Sequence, residues 1–278
     1  MKLCISEATT LSSTFAEDVN GYADGGCHAL EVWLTKLETH LENHSVADTR
    51  KLLEDRGMTL AAAAYQGGLL LSQGEQRKAH YDHFKRRLDL CQSFAIGTLL
   101  IVADPPSPPG RGRESGGMEA TDLQRAVVSL TQAAQWASAF NVRLALEFRG
   151  NASFCSSLDT ALALIAACGE TNVGVNLDVF HYYTGPSKFE DLALLSPANL
   201  AFVQLSDVLG VPRELASDGD RILPGEGDFR LEPIVQQVRA LGYDGWISLE
   251  LMNPTLWQLK PSQVAELGLA SLERLLLA

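Results

Sequence analysis

The sequence predicts an α/β protein folded as a single (β/α)8 TIM barrel over residues 1–278, and three observations lead there. Short β-type runs alternate with longer stretches of helical period from one end of the chain to the other, eight runs in all. Most runs are apolar enough to be buried on both faces, as strands of a parallel sheet are. Eight β/α repeats in 278 residues also match the size of such a barrel.

The runs are Leu3–Ser6, Ala29–Trp33, Thr59–Ala64, Thr98–Ala103, Arg143–Phe148, Gly174–Leu177, Ala201–Leu205 and Trp246–Leu251. Among the intervening helices, Thr121–Phe140 puts Leu123, Val127, Leu130, Ala134, Ala137 and Phe140 on one stripe, with Thr121 and Gln124 as a capping box. Ser156 and Asp159 open a helix through Ala161–Cys168, stretches 44–56 and 231–241 end at the cap glycines Gly57 and Gly242, and the last helix follows Pro261. Asp104–Gly117, with four prolines and four glycines in fourteen residues, reads as a loop over the barrel mouth, because the β/α pattern resumes after it. A doubly wound open sheet is the structural alternative.

With 46% apolar and 20% charged residues the chain has the composition of a folded protein, not a disordered one. Its 22 basic and 34 acidic residues give a net charge of −12 with no basic patch, which disfavours nucleic acid and membrane surfaces as partners. Glu7 stands where a secretory signal would be apolar, and no run approaches membrane-spanning length, so the expected location is cytoplasmic. Cys4, Cys27, Cys91, Cys155 and Cys168 are scattered without a CxxC pair, as reduced core thiols are.

Polar residues interrupt four strand ends: Glu147 after Leu144–Leu146, Asp178 after Val175–Leu177, Gln204 after Ala201–Val203, and Glu250 after Ile247–Leu249. An ionised carboxylate without a partner is costly to bury there. Three carboxylates at one mouth repel, and a divalent cation at their centre removes that conflict. Any one of them could instead pair with an arginine or cap the next helix, and Gln204 could be an amide bonded inside the barrel.

These residues resemble a known family. Leu146-Glu147, Asn176–His181, Phe202–Asp207, Arg221–Asp228 and Gly245–Glu250 are similar to the xylose isomerase-like TIM barrels grouped as sugar phosphate isomerases/epimerases, and the likeness covers almost the whole chain. It implies one divalent metal held by Glu147, Asp178, Gln204 and Glu250. Most members carry histidine where Gln204 stands, and glutamine there resembles the subset that includes 3-dehydroshikimate dehydratases. A glutamine ligand offers its carbonyl oxygen, so the all-oxygen site favours Mn²⁺, Mg²⁺ or Co²⁺ over Zn²⁺. His181 resembles the family's substrate-binding histidine and Arg221 its substrate-orienting arginine, although Arg221 could also form a surface ion pair. Relatives are often dimers or tetramers, which admits a homo-oligomer here.

The resemblance implies an enzyme of carbohydrate metabolism, a metal-dependent isomerase or epimerase of a keto-sugar or polyol ketone. Glu147 and Glu250 would serve as base and acid around a metal-stabilised enediolate. A dehydratase shares all these residues, with Arg149 as the candidate partner for a substrate carboxylate. The abasic-site endonuclease branch needs more strand-end histidines than Trp33, Ala64 and Ala103 supply, and a sugar-binding barrel without chemistry is the remaining alternative. Trp33, Tyr65, Phe148 and Trp257 are candidate aromatics of a sugar pocket or of the core. Gly225-Glu226-Gly227 lacks the Lys-Ser/Thr of a phosphate loop and reads as a turn.

Overall fold

A computed structural model describes residues 1–103 and 120–277, so the expected mouth loop Asp104–Gly117 lies outside the described residues. The strands are β1 (Lys2–Ser6), β2 (Ala29–Trp33), β3 (Thr59–Gln66), β4 (Thr98–Val102), β5 (Arg143–Glu147), β6 (Val173–Asp178), β7 (Leu200–Leu205) and β8 (Trp246–Leu249). All eight fall on the runs expected from the sequence, with ends shifted by a residue or two. They are ordered β1 to β8 and close into a barrel, β1 pairing in parallel with both β2 and β8. An open doubly wound sheet would leave two unpaired edges, so that alternative is excluded.

The chain divides into two compact units, Met1–Ala64 with Ser93–Ile96 and Val203–Ala278, and Tyr65–Gln92 with Gly97–Phe202. In the first, α1 (Phe15–Asp24) starts from a capping box in which Thr14 and Glu17 bond each other's backbone N–H groups. Helices α2 (Leu34–Leu41) and α3 (Val46–Asp55) follow β2, while α8 (Leu231–Ala240) and α9 (Pro261–Leu277) flank β8 in sequence. The left-handed glycines Gly57 and Gly242 end α3 and α8 as expected, with φ +61° and +71°. Ile5, Leu30, Val32, Leu249 and Leu272 are fully buried in this unit.

In the second unit α4 (Gly74–Ser93), α5 (Ala120–Ser138), α6 (Leu158–Cys168) and the short α7 (Val179–Thr184) accompany the strands. Pairing sets Val102 opposite Glu147 and Glu147 opposite Asn176. The α5 stripe is partly as expected: Leu130, Ala134 and Ala137 are fully buried, but Leu123 is 47% exposed. The buried face is rotated to take in Ala126, Ser129 and Ala133. Thr121 lies within the helix, not at its cap. Ser157, rather than Ser156, is the N-cap of α6.

All five cysteines are free and buried, and burial pushes the Cys91 thiol up to about 12. Among the described residues no helix is long and apolar enough to cross a membrane.

A buried charge cluster after β1 was not expected. Lys36 Nζ donates to Asp18 Oδ2 at 2.5 Å and to the carbonyls of Glu7 (3.2 Å) and Thr10 (2.7 Å), while Glu7 Oε2 accepts the Trp33 backbone N–H at 2.7 Å. Burial, then the charge of Asp18, holds Glu7 well above the usual carboxylate range, with Lys36 opposing; burial raises Asp18 as well. Glu7 Oε1 and Asp18 Oδ1 have no other partner, and one proton between the two carboxyls satisfies both. The folded chain therefore keeps this proton to higher pH than the unfolded chain. The associated stability is complete below the unfolded Glu value of about 4.3 and is lost as pH rises through the folded one. Glu7→Gln has no such proton to lose, and its amide can still bond Trp33 and Asp18. In scanning calorimetry the Tm of Glu7→Gln minus that of wild type should rise as pH increases above about 4.3. A pH-independent difference would contradict the shared proton.

Candidate metal centre

In the unit containing Tyr65–Gln92 and Gly97–Phe202, Glu147 ends β5 and Asp178 ends β6. Asn176 Nδ2, opposite Glu147 in the sheet, donates to Glu147 Oε2 at 3.2 Å. Asp178 is also the N-cap of α7, its Oδ1 accepting the Phe180 backbone N–H at 2.8 Å. Because the helix starts immediately, its first turn returns His181 to the strand end. His181 Nε2 lies 3.3 Å from Glu147 Oε1 and 3.7 Å from Asp178 Oδ2.

Glu147, Asp178 and His181 are all buried, and one ligand atom from each lies within 4.8 Å of the others. Two carboxylates and an imidazole at this spacing suit a divalent cation. Helix capping, the competing account of a strand-end acid, holds for one oxygen of Asp178 and leaves Oδ2 facing the cluster.

In the unit containing Met1–Ala64 and Val203–Ala278, Gln204 of β7 is fully buried and pairs in register with Ser248. Its Nε2 donates to Glu31 Oε1 at 2.9 Å. Glu31 was not among the sequence candidates, and its only signal was a carboxylate in the middle of the apolar run Ala29–Trp33. Glu250 follows β8, and its Oε2 accepts from Arg221 Nη1 at 3.2 Å. Arg221 is 1% exposed, so the surface ion pair considered for it is corrected to a buried one. Its Nε and Nη2 also hold Asp218 Oδ1 at 3.0 and 2.7 Å.

Asp207 organises the loop that carries Arg221. It bridges Ile222 through the backbone, and its carboxylate accepts four backbone N–H groups, from Gly225 and Gly227 at 3.0 Å and from Val208 and Phe229 at 2.9 Å. The glycine-rich turn thus spends its N–H groups on the chain's own anion, as its lack of a phosphate-loop lysine suggested. A Cβ on Gly227 would stand 2.3 Å from Asp207 Oδ1, which fixes glycine there.

The candidate aromatics separate. Phe148 is a core residue, wholly buried. Trp257 Nε1 bonds the Ala8 carbonyl at 3.0 Å, and Trp33 lines a cavity of about 490 Å³ with Phe15, Lys36 and His40. Tyr65 is half-buried beside Arg87, which bonds its carbonyl at 2.6 Å, and Arg149 is half-buried just beyond β5.

Comparison with known proteins places the chain in a family. An inosose isomerase of Halalkalibacterium halodurans is 25% identical over 271 residues, 95% of this chain and 92% of that protein. A 3-dehydroshikimate dehydratase of Pseudomonas aeruginosa is 26% identical over 88% of this chain but only 37% of its own length. The crystal structure of an IolI protein with a bound zinc atom superposes with a TM-score of 0.89 at 22% identity, covering 99% of this chain and 98% of that one. A family model described as the xylose isomerase-like TIM barrel matches residues 22–275. With strand order, strand-end acids and this match in agreement, the chain belongs to the xylose isomerase-like TIM barrel family.

Proposed function

We propose that the chain is a metal-dependent isomerase or epimerase acting on a keto-sugar or polyol ketone. The observation that carries this reading is the buried Glu147–Asp178–His181 cluster at strand C-terminal ends, where enzymes of this architecture place their chemistry. Likeness to inosose isomerases along nearly their full length supports a small cyclic polyol ketone as the substrate class.

In a closed parallel barrel the strand C-termini form one mouth. This reading assigns Glu147, Asp178, Gln204 and Glu250 to that mouth as ligands of one divalent ion. Oxygen donors from all four favour Mn²⁺, Mg²⁺ or Co²⁺, and the zinc held by the solved IolI protein makes Zn²⁺ the competitor to test. When bound, the ion supplies an electrophile that stabilises negative charge developing on adjacent substrate oxygens.

The chain's own groups divide the remaining work. Glu250 gives one oxygen to a buried guanidinium, which weakens it as a base, so Glu147 is assigned to take the proton from the carbon beside the carbonyl. In an isomerisation Glu147 gives the proton it took to the former carbonyl carbon, while the hydroxyl proton passes to the former carbonyl oxygen. In an epimerisation Glu250, entering the cycle protonated, delivers its proton to the opposite face, and exchange with solvent resets both carboxyl groups. His181 and Arg221 hold substrate hydroxyls, oriented by the α7 turn and by the Asp207-anchored loop respectively.

A dehydratase is the second reading. Gln204 and the likeness to 3-dehydroshikimate dehydratase support it, with Arg149 receiving the substrate carboxylate. Incubation in D₂O with inososes, ketohexoses and 3-dehydroshikimate separates the two. Solvent deuterium next to the carbonyl without loss of water marks the isomerase, and a conjugated, dehydrated product marks the dehydratase.

Two results should follow. Purified wild-type protein should carry one divalent ion per chain by elemental analysis, and Asp178→Ala should lose it while keeping its far-ultraviolet spectrum; an Asp178→Ala protein that retains the ion contradicts the ligand assignment. On the substrate found by screening, Glu147→Gln should lower kcat by about 10²–10⁴-fold. Full turnover by that variant would remove Glu147 as the base.

A further inference from the structure

Glu31 has no assigned role, yet it is one of the most constrained side chains in its unit. It is fully buried in the middle of β2, opposite Ser6 of β1, where the β2–β3 register shifts between Leu30 and Glu31. Such irregularities redirect a side chain at a chosen point. The side chain so placed meets Gln204, whose Nε2 donates to Glu31 Oε1 at 2.9 Å although the two residues are 173 positions apart.

A carboxamide has two nearly isosteric ends with opposite chemistry. Its oxygen can bind a cation, and its NH₂ group can only donate. A glutamine is therefore a metal ligand in only one of its two orientations. A carboxyl group that accepts the NH₂ end selects that orientation and polarises the amide so that its oxygen becomes the more basic. Without that acceptor the bond that tells the NH₂ end from the oxygen end is lost.

We propose that Glu31 is a positioning residue that holds the Gln204 amide with its oxygen turned away from β2 and available to the divalent ion. The inference rests on the reading of Gln204 as a ligand, and its test separates the two.

Mn²⁺ binding to the full-length protein is measured by calorimetry for wild type, Gln204→Ala, Glu31→Leu and Glu31→Gln. Glu31→Leu removes the acceptor and should weaken Mn²⁺ by about 10–100-fold. Glu31→Gln can still turn an oxygen towards the Gln204 amide, and it should bind Mn²⁺ close to the wild-type value. If Gln204→Ala weakens binding and Glu31→Leu does not, the positioning role is overturned while the ligand stands. If Gln204→Ala binds as tightly as wild type, Gln204 is no ligand and both readings fall. A Glu31→Gln loss as large as that of Glu31→Leu would mean that charge rather than an acceptor is required, which also overturns it.

Should Glu31→Leu not fold, the Gln204 side-chain NH₂ resonance in wild type carries the test, assigned by its absence in Gln204→Ala. Slow hydrogen exchange at that NH₂ supports the bond to Glu31, and exchange at the rate of a surface amide contradicts it.

Discussion

Burying an ionised carboxyl group costs several kcal/mol unless something answers its charge, and seven acidic residues are buried among the described ones: Glu7, Asp18, Glu31, Glu147, Asp178, Asp207 and Glu250. Much of the local structure can be understood as the set of answers. Lys36 serves Asp18, and burial beside the Asp18 charge holds Glu7 towards its neutral form. Four backbone N–H groups serve Asp207, a helix start serves Asp178, and a guanidinium serves Glu250. Glu147 receives an asparagine amide and lies 3.3 Å from the Nε2 of His181, and Glu31 receives the amide of Gln204.

The answers differ in kind, and the difference separates acids held by backbone donors from acids whose partners are side chains. Asp207 is surrounded by donors fixed in the backbone, which makes it a rivet for the loop bearing Arg221. Asp178 commits one oxygen to α7 and presents the other to His181. Glu147 and Glu250 stand at strand ends with side-chain partners, the kind of contact that a cation or a substrate can rearrange. Lys36 donates to Asp18 and to the Glu7 and Thr10 carbonyls of the first βα loop, and Glu7 accepts the Trp33 N–H, so the loop is braced against the end of β2.

The strands were legible because each is a short apolar run buried on both faces, a pattern that depends on little beyond the run itself. Glu147, Asp178, Gln204 and Glu250 were legible for the converse reason, as polar residues where such runs end. Long-range partnership left a weaker trace. Nothing local says that Glu31 meets a residue 173 positions away, or that Lys36 reaches back to Asp18. For Arg221 a surface ion pair was the alternative to a substrate-orienting role, yet the bridge between Asp207 and Ile222 accompanies a side chain that is 1% exposed. Leu123 read as part of a buried stripe, but the face of α5 is set by what the helix packs against, and that face begins at Ala126.

The central claim is that the strand-end oxygens of Glu147, Asp178, Gln204 and Glu250 hold a single divalent ion. A crystal structure of Mn²⁺-loaded protein, with the ion located by its anomalous signal, addresses it directly. The account predicts one strong peak with all four side chains within coordination distance and the Gln204 NH₂ still on Glu31. A peak confined to Glu147, Asp178 and His181, with Gln204 turned away from the ion, would contradict it.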